Sequence, residues 1–582
     1  MKRLLVTTAV EETWGQEQDI LFLGDWCKLY KTKEKWNNRV HDTVLFHEKN
    51  RVKFAADHEY LVILHEKVLS AVAKKLNEYH NTDHSLRYWR IVVGPWLSIF
   101  VPTIWERWES LKVAFLEHEF DEVFVADSSV CDFAKLDYQA SAESLQEQIL
   151  NYQIYSDIIQ FQYGDSSSIK TLNVKNNFFY KVSSVPKKSI TQILQRFIDN
   201  IMSKIQKKYN VVFISSYFDI ISLFKLSIKL RQLPRRYFQF EDDLFQNKIE
   251  ITDRKISIDL HCNNDFERYL SSNLFKNIPY SYVEGFSVLK ERAFKCNVNG
   301  KIIFTSNSHF SNDFFKVWSA EQVINNNSKF FISVHGGAIP PSMCAFARHE
   351  DMVSDKYIVW HKALDKKQVQ LPPHKFLKNK SRSLKNKMDV TIIGLDLGLY
   401  SYGHQSGTGS SLNLDDFNQK VAFIQNSSAL LQKEIKVFPY PHPGWDTKSR
   451  YIDIFGEQVI SSKDSFSDAI YTSKLIVCTY PQTTFSEAMF SNTPVVLLYV
   501  KEYWELQLEF NELLDAMIEA KIIFSDPTLA AQHVSEIYLK SEVWWESDIV
   551  VAARKLFHDS CLSLSNDWLT EWSLFFESEL DK

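Results

Sequence analysis

The stretch that most constrains the fold of this chain lies at residues 434–500. Its pattern predicts a strand at 435–437 and a loop at 438–445. After a connecting region, it predicts a strand at 474–479, a turn at 480–482, a helix at 483–491 and a strand at 494–500. Apolar runs joined by a turn and a short amphipathic helix are what parallel strands with a right-handed helical crossover require. This part of the chain is therefore predicted to be α/β.

The turn that enters the helix carries adjacent hydroxyls, on Thr483 and Thr484. The first N–H groups of a helix have no partner within the helix, so a hydroxylated helix start suits a phosphate or another anion. An alternative needs no ligand, because Thr484 and Glu487 have the spacing of a capping box.

A histidine upstream favours the anion site. His442 lies in a loop whose prolines hold the backbone extended. Loops that follow parallel strands meet at one edge of the sheet, so the imidazole and the helix start are expected to converge on one nucleotide phosphate.

These segments also resemble a known architecture. Tyr-Pro-His-Pro-Gly at 440–444, Thr-Thr-Phe-Ser-Glu-Ala-Met at 483–489 and Thr-Pro-Val-Val at 493–496 resemble the donor half of a GT-B glycosyltransferase. In members that transfer sialic acid, Kdo or glycerophosphate, a His-Pro loop and a Ser/Thr pair hold the cytidine phosphate. The resemblance implies two Rossmann-like domains facing a central cleft, with donor-binding roles for His442, Pro443, Gly444, Thr483, Thr484, Ser486 and Glu487.

A second resemblance involves the N-terminal half. Residues 7–15, 21–27 and 88–97 resemble a bacterial family of surface-glycan transferases, and the likeness runs from the first strand to about residue 500. It implies a transferase acting in polysaccharide or glycan assembly.

The chain is long enough for more than one core, with 582 residues and 45% hydrophobic content. Four parts are predicted: an acceptor-side Rossmann-like domain with helical insertions (1–370), a basic linker (371–387), a nucleotide-sugar-binding Rossmann-like domain (388–540) and C-terminal helices packing across the domains (541–582).

Charge and cysteine content narrow the function classes. A net charge of −5 argues against a nucleic-acid binder, and seven scattered cysteines indicate a reducing compartment. No signal peptide or membrane span is predicted, so a cytoplasmic location is expected. The basic stretch 225–236 is either a solvated helix face or a peripheral contact with anionic inner-membrane lipid.

Polar side chains after the first strand are candidates for the acceptor side. Glu12 is a candidate general base, with Glu11 and Trp14 beside it. Alternatively, the two carboxylates simply favour a helix start. Arg87 and Arg90 are expected to face an anionic acceptor group or, in the alternative, to pair with local carboxylates.

Two further strand ends supply base candidates. His309 and Asp313 follow the predicted strand 301–305, and His335 follows 330–334. Gly336 and Gly337 come next, and paired glycines let a backbone approach a ligand closely.

The sequence gives no sign of a metal or of a resident cofactor. No Asp-X-Asp element follows an apolar strand, and no Walker spacing occurs. We therefore expect charge on the leaving phosphate to be stabilised by fixed dipoles and imidazolium.

Together these features predict a metal-independent GT-B glycosyltransferase that moves a sugar from a nucleotide donor, with a CMP-activated acidic sugar as first choice, to a glycan or lipid-linked hydroxyl acceptor. A nucleotide-sugar epimerase, a glycerophosphate-type transferase and a non-catalytic glycan- or nucleotide-binding scaffold stay open as alternatives. The sequence does not indicate an oligomeric state.

Overall fold

The computed structural model describes residues 2–16, 18–127, 133–172, 174, 205–206, 208–234, 254–296, 298–377, 389–440 and 444–582. These residues form three sheets of five strands each, and all paired strands within the sheets run parallel. Helices cover the sheets, so the strands are buried on both faces and consist of apolar runs.

Sheet I has the order β3-β2-β1-β4-β5. Its strands are β1 (Arg3–Val6), β2 (Asp19–Phe22), β3 (His41–Thr43), β4 (Glu122–Val125) and β5 (Ile169–Thr171). Its helices are α1 (Lys33–Trp36), α2 (Arg51–His80), α3 (Leu86–Val92), α4 (Gly94–Glu117), α5 (Tyr138–Ser144) and α6 (Gln148–Tyr163). Most of α4 is buried because it is apolar around much of its circumference.

Sheet II has the order β10-β9-β8-β7-β6. Its strands are β6 (Lys208–Ile214), β7 (Asn299–Thr305), β8 (Lys329–Ser333), β9 (Lys356–Val359) and β10 (Gln368–Gln370). Its helices are α7 (Ile220–Lys229), α8 (Asp265–Asn273), α9 (Phe286–Lys295), α10 (Ser308–Ser311), α11 (Asp313–Asn325) and α12 (Ala345–Val353).

Sheet III has the order β12-β11-β13-β14-β15. Its strands are β11 (Val390–Ile393), β12 (Ile435–Phe438), β13 (Leu475–Cys478), β14 (Val495–Leu498) and β15 (Ile523–Phe524). Its helices are α13 (Leu412–Asn426), α14 (Ala429–Glu434), α15 (Thr447–Phe455), α16 (Phe466–Thr472), α17 (Thr483–Phe490), α18 (Asn511–Glu519) and α19 (Pro527–Ile537). Strand β12 lies on one side of β11, and β13 lies on the other side. A topological switch point therefore lies between β11 and β13.

Three helices end the chain: α20 (Ser541–Trp545), α21 (Asp548–Phe557) and α22 (Trp568–Leu580). In α22, Trp572 lies with its ring 5.7 Å from Phe304 of sheet II. In α21, Phe557 lies 5.4 Å from Phe485 of α17. The two helices thus pack on different sheets.

The predicted α/β class, with parallel sheets and a helical C-terminal segment, is confirmed. The N-terminal 370 residues carry two sheets, and one contiguous apolar core that includes Leu5 and Phe330 joins them. Of the predicted basic linker, residues 378–387 lie outside the described residues. No helix in the described part of the chain is long and apolar enough to cross a membrane.

Candidate functional site

The loop after β8 and the start of α17 meet directly. The N–H of Gly337 donates to the hydroxyl of Thr483 at 2.9 Å, and the hydroxyl of Ser486 donates to the Gly337 carbonyl at 2.7 Å. A side chain at Gly336 would overlap the Thr483 hydroxyl, so this close approach requires glycine. Four of the predicted donor-binding residues, drawn from both halves of the chain, therefore converge on one point.

The start of α17 is left open for a ligand. Its N-cap residue, Gln482, makes no side-chain capping bond. Thr484 lies inside the helix, where its hydroxyl bonds to the Tyr480 hydroxyl, so the capping box with Glu487 is not formed. Among the described residues, the N–H groups of Thr483 and Thr484 have no hydrogen-bond acceptor. Two donors at the positive end of the helix dipole thus remain unused.

His335 lies beside this contact, at the end of β8. Its side chain is exposed to solvent, yet surrounding protein atoms desolvate the ring and lower its pKa. Nearby His309 and Lys375 lower the pKa further, whereas Glu350 opposes the shift.

His309 is buried below this loop. Its Nε2 lies 2.7 Å from Oε1 of Glu350, whose other oxygen accepts a hydrogen bond from the Tyr357 hydroxyl at 2.8 Å. The Nδ1 atom of His309 is buried and has no partner among the described residues. The imidazole is thus fixed by a carboxylate and does not reach solvent.

Asp313 is held in a buried network. Its carboxylate contacts the Lys316 ammonium at 2.7 Å and accepts hydrogen bonds from the hydroxyls of Tyr282 and Ser281. It also accepts the N–H of Tyr138. These four contacts use the lone pairs of both carboxylate oxygens, so no acceptor is left for a substrate proton. The position of Asp313 therefore does not fit its predicted role as a base.

The structure describes only part of the His-Pro loop. His442 and Pro443 lie outside the described residues, so their predicted contact with the donor stays a prediction. The described end of this loop holds Gly444 and then the buried Trp445, whose Nε1–H donates to the Leu397 carbonyl at 3.1 Å. The loop therefore ends against residues that follow β11.

The predicted acceptor residues do not assemble into one site. Trp14 is a core residue, because its ring is buried and its Nε1–H donates to the Thr8 carbonyl. Glu11 pairs with Lys35 at 2.5 Å, whereas Glu12 is exposed.

Both arginines pair with carboxylates, as in the alternative interpretation, although the partner of Arg87 is distant in the sequence. Arg87 contacts both oxygens of Asp355 at 2.7 Å, and Arg90 contacts Glu66 at 2.7 Å. Asp355 also accepts the N–H of Phe330 at the start of β8, so Arg87 lies at the amino-terminal edge of sheet II. Ligands of parallel sheets bind at the opposite edge.

A cavity of about 450 Å³ lies where loops from the three sheets meet. Sheet I contributes Glu48 after β3 and several residues of α5, sheet II contributes the loop after β7, and sheet III contributes the glycine-rich loop (residues 397–409) after β11. The lining consists of Glu48, Tyr138, Gln139, Ala142, Glu143, Gln146, Asn307, Phe310, Ser311, Leu397, Gly398, Tyr400, Ser401, Tyr402, Gly403, Gln405, Gly407 and Gly409.

Glu48 is the most perturbed acid in this lining. Burial, followed by the nearby Glu106 carboxylate, raises its pKa to about 8, although Arg51 and Arg107 oppose the shift. The Ser401 hydroxyl lies 3.2 Å from each carboxylate oxygen. Glu48 is not evident from the sequence, because β3 is too short to predict a strand end there and only the fold buries the carboxyl.

A second group that was missed lies at the switch point of sheet III. Lys420 is buried with Nζ 2.6 Å from Asp416, and it packs against Gly394 at the end of β11. Oxygens of Asp396 and Thr479 nearby are buried without a partner among the described residues. Asp396 directly precedes Leu397, so this polar cluster lies next to the cavity.

No group of three or more His, Cys, Asp or Glu side chains in the described ranges could hold a metal ion. Metal independence of the reaction stays a prediction.

Solved structures with some likeness to this chain are enzymes with low sequence identity. Acinetobacter baumannii MurG is 11% identical, and the match covers 64% of this chain and 100% of MurG, with a TM-score of 0.33. The calicheamicin glycosyltransferase CalG4 is also 11% identical, with 65% and 99% coverage and a TM-score of 0.32. These scores are too low to support a conclusion about activity.

No curated protein sequence matches the chain significantly. A family model does match, and it spans residues 3–576. Since that match runs through nearly all of the 582 residues, the chain belongs to the LIC12162 family of transferases.

Proposed function

We propose that this transferase is a glycosyltransferase that moves a sugar from a nucleotide donor to a hydroxyl acceptor. The observation that carries the proposal is the convergence of Gly337 with Thr483 and Ser486. A helix start with free N–H groups that meets a glycine loop from another parallel sheet suits a nucleotide phosphate.

The hydrogen-bond donors at the start of α17 match the negative charge of a nucleotide phosphate. The N–H groups of Thr483 and Thr484 have no acceptor among the described residues. The Thr483 hydroxyl accepts from Gly337, so its own proton remains available to a phosphate oxygen. Fixed donors of this kind stabilise the negative charge that grows on the leaving phosphate.

His335, and His442 by resemblance, are the imidazoles proposed for the phosphate side. Desolvation lowers the pKa of His335, and an anionic phosphate would offset this effect by favouring the imidazolium. On this basis we keep a CMP-activated acidic sugar as the first donor to test. We propose that the reaction belongs to polysaccharide assembly in the cytoplasm.

The experiment is a nucleotide panel with CMP, CDP, UDP and GDP on the full chain, monitored by thermal shift and then by turnover of the matching nucleotide sugars. Thr483→Val is expected to abolish the stabilisation by the preferred nucleotide, and Thr528→Val, at the start of α19, serves as the control. Stabilisation that survives Thr483→Val would place the phosphate elsewhere. Binding without sugar transfer to any acceptor would favour a scaffold, and an altered free sugar nucleotide would indicate an epimerase.

We also propose that α7 contacts an anionic membrane surface. Ile220, Ile221, Phe224 and Ile228 are 52%, 52%, 51% and 57% exposed, whereas the opposite face of the helix is buried. Lys225, Lys229 and Arg231 are exposed beside them, and the helix has no acidic residue. An apolar face flanked by lysines fits the interface of an anionic bilayer.

Co-sedimentation with phosphatidylglycerol vesicles, against phosphatidylcholine vesicles, tests this contact. Phe224→Glu with Ile228→Glu is expected to abolish binding without changing Tm, while Ile63→Glu, an exposed position on α2, leaves binding intact. Loss of several degrees in Tm would show that the protein itself covers this face. That result, or no binding to anionic vesicles, would overturn the proposal.

A further inference from the structure

We propose that the cavity at the junction of the three sheets binds a neutral, polyhydroxylated acceptor, and that Glu48 takes the proton from its attacking hydroxyl. This inference rests on the proposed glycosyl transfer, and it assigns the acceptor class and the base that the sequence leaves open.

The lining of the cavity selects against anionic ligands. Glu48 and Glu143 are acidic, and none of the described residues in the lining carries a positive charge. A phosphate or a sugar acid would therefore find no cation in this lining and would meet the Glu143 carboxylate. A ligand of this cavity has to be neutral or cationic.

The uncharged groups of the lining favour a sugar over a cation. The Asn307 amide can donate and accept hydrogen bonds, and the amides of Gln139 and Gln146 each keep one N–H beyond their bonds to Glu143 and Tyr400. Tyr138 and Tyr402 add aromatic side chains to the lining, and aromatic rings suit the C–H faces of a sugar. The volume of about 450 Å³ lies within the range of small-molecule sites.

The place of the cavity in the fold agrees with an acceptor next to the donor. Its walls come after the carboxyl ends of strands from all three sheets, where ligands of parallel sheets bind. The glycine-rich loop belongs to the same sheet as the open start of α17. The Trp445 indole, at the described end of the His-Pro loop, contacts Leu397 in this lining.

Glu48 faces charged groups from several elements. Glu106 and Arg107 approach from α4, Arg51 from the start of α2, and His47 precedes it in the same turn. Ser401 and Tyr400 come from the glycine-rich loop. The balance leaves a carboxyl that titrates near pH 8, so at neutral pH a small ionised fraction of high basicity is present.

In the proposed step, the acceptor oxygen forms a bond with the anomeric carbon of the donor, and the proton of the acceptor hydroxyl passes to the Glu48 carboxylate. The bond from the anomeric carbon to the phosphate oxygen breaks, and the nucleotide phosphate leaves with the electron pair. The proton on Glu48 is then released to solvent.

Two measurements test the inference. Ligand-observed NMR with glucose, galactose and N-acetylglucosamine tests the cavity without any donor. Ala142→Trp, which fills the cavity from α5, is expected to abolish the sugar signal, whereas Thr483→Val leaves it unchanged. Circular dichroism and Tm confirm that each variant is folded.

The second measurement is the pH profile of sugar transfer. For the wild type, kcat/KM is expected to rise with pH to an apparent pKa near 8. Glu48→Gln is expected to lose about 100-fold or more and to flatten the profile, since general base catalysis contributes about that much. Glu48→Asp retains part of the activity, and Glu59→Gln, an exposed position on α2, serves as the matched control.

The outcomes separate this inference from the proposed function. Transfer that persists in Glu48→Gln and Ala142→Trp would overturn the inference and leave glycosyl transfer standing. No transfer or donor hydrolysis by the wild type would overturn the proposed function and, with it, the role of Glu48. Sugar binding that is unaffected by Ala142→Trp would show that the cavity is not the acceptor site.

Discussion

Arg51 and Glu505 form a two-pronged ion pair between the N-terminal and C-terminal halves of the chain, with Nε–Oε1 at 2.6 Å and the second nitrogen to Oε2 at 2.8 Å. The same guanidinium donates to the Glu48 carbonyl at 3.0 Å. The turn that carries Glu48 is thereby tied to the segment after β14, so the pair helps to hold the cavity together.

Breaking this pair is expected to weaken the junction of the two halves. Because both side chains are largely buried and the geometry is two-pronged, Glu505→Gln should lower the free energy of unfolding by about 1 to 2 kcal/mol. Urea denaturation measures this loss. Asp259→Asn removes an exposed pair with Lys74, which solvent screens, and should leave the free energy of unfolding unchanged within the error of the measurement. Equal effects of the two substitutions would contradict a structural role for the Arg51 pair.

Gly336→Ala is expected to separate the β8 loop from α17. Its new methyl group would overlap the Thr483 hydroxyl, and relief of that overlap requires the Thr483 side chain to rotate away from the Gly337 N–H or the two halves to move apart. We expect a loss of about 1 to 3 kcal/mol in stability, typical of overpacking, and loss of nucleotide binding. Adding Thr483→Ala should restore most of the stability but not the nucleotide affinity. A single variant as stable as wild type would refute the close approach.

The stability of the protein should fall with rising pH because of Glu48. Its pKa in the folded protein is about 8, against an ordinary value of 4.5, so between these values the folded protein binds one more proton than the unfolded chain. Raising the pH in this window therefore favours unfolding, by at most about 4 to 5 kcal/mol in total. Glu48→Gln should lack this component. Urea titrations at pH 5, 7 and 9 compare the two proteins, and parallel curves would show that Glu48 ionises normally.

Lys420→Met should be among the most destabilising substitutions in the C-terminal domain. It leaves Asp416 buried without its cation, and loss of one partner of a buried pair costs about 3 to 5 kcal/mol. The double variant Lys420→Met with Asp416→Leu removes both charges and should recover much of the loss. Thermal and urea unfolding measure the series. If the double variant is no better than the single one, the lysine contributes through contacts other than this ion pair.

Several features of the molecule could be predicted from local sequence. The strands and the helix of 434–500 were predicted because apolar runs and a 3.6-residue period leave a local signature. Gly336, Gly337, Thr483 and Ser486 were singled out by residue type at strand ends and a helix start, and they do meet in the fold. Their partners were not predicted, since Gly337 and Thr483 are 146 residues apart and only packing sets that distance.

Other residues show why type and spacing are insufficient. Trp14 and Asp313 follow predicted strands, as a ligand-binding residue would, yet burial in the core directs their polar atoms to protein partners. Arg87 is paired with Asp355, 268 residues away, at the amino-terminal edge of sheet II. Glu48 has an ordinary sequence context, and its pKa depends on Glu106, Arg51 and the glycine-rich loop around it.

The sequence by itself determined the α/β class, the parallel strands and the helix that starts at Thr483, because hydrophobic period and turn chemistry act over neighbouring residues. The tertiary structure decided that the N-terminal half has two sheets, which loops share a crevice, and which carboxyl is buried against a cavity. Burial and charge proximity are sums over residues far apart in the chain, so their effect on any one side chain appears only when the chain is folded.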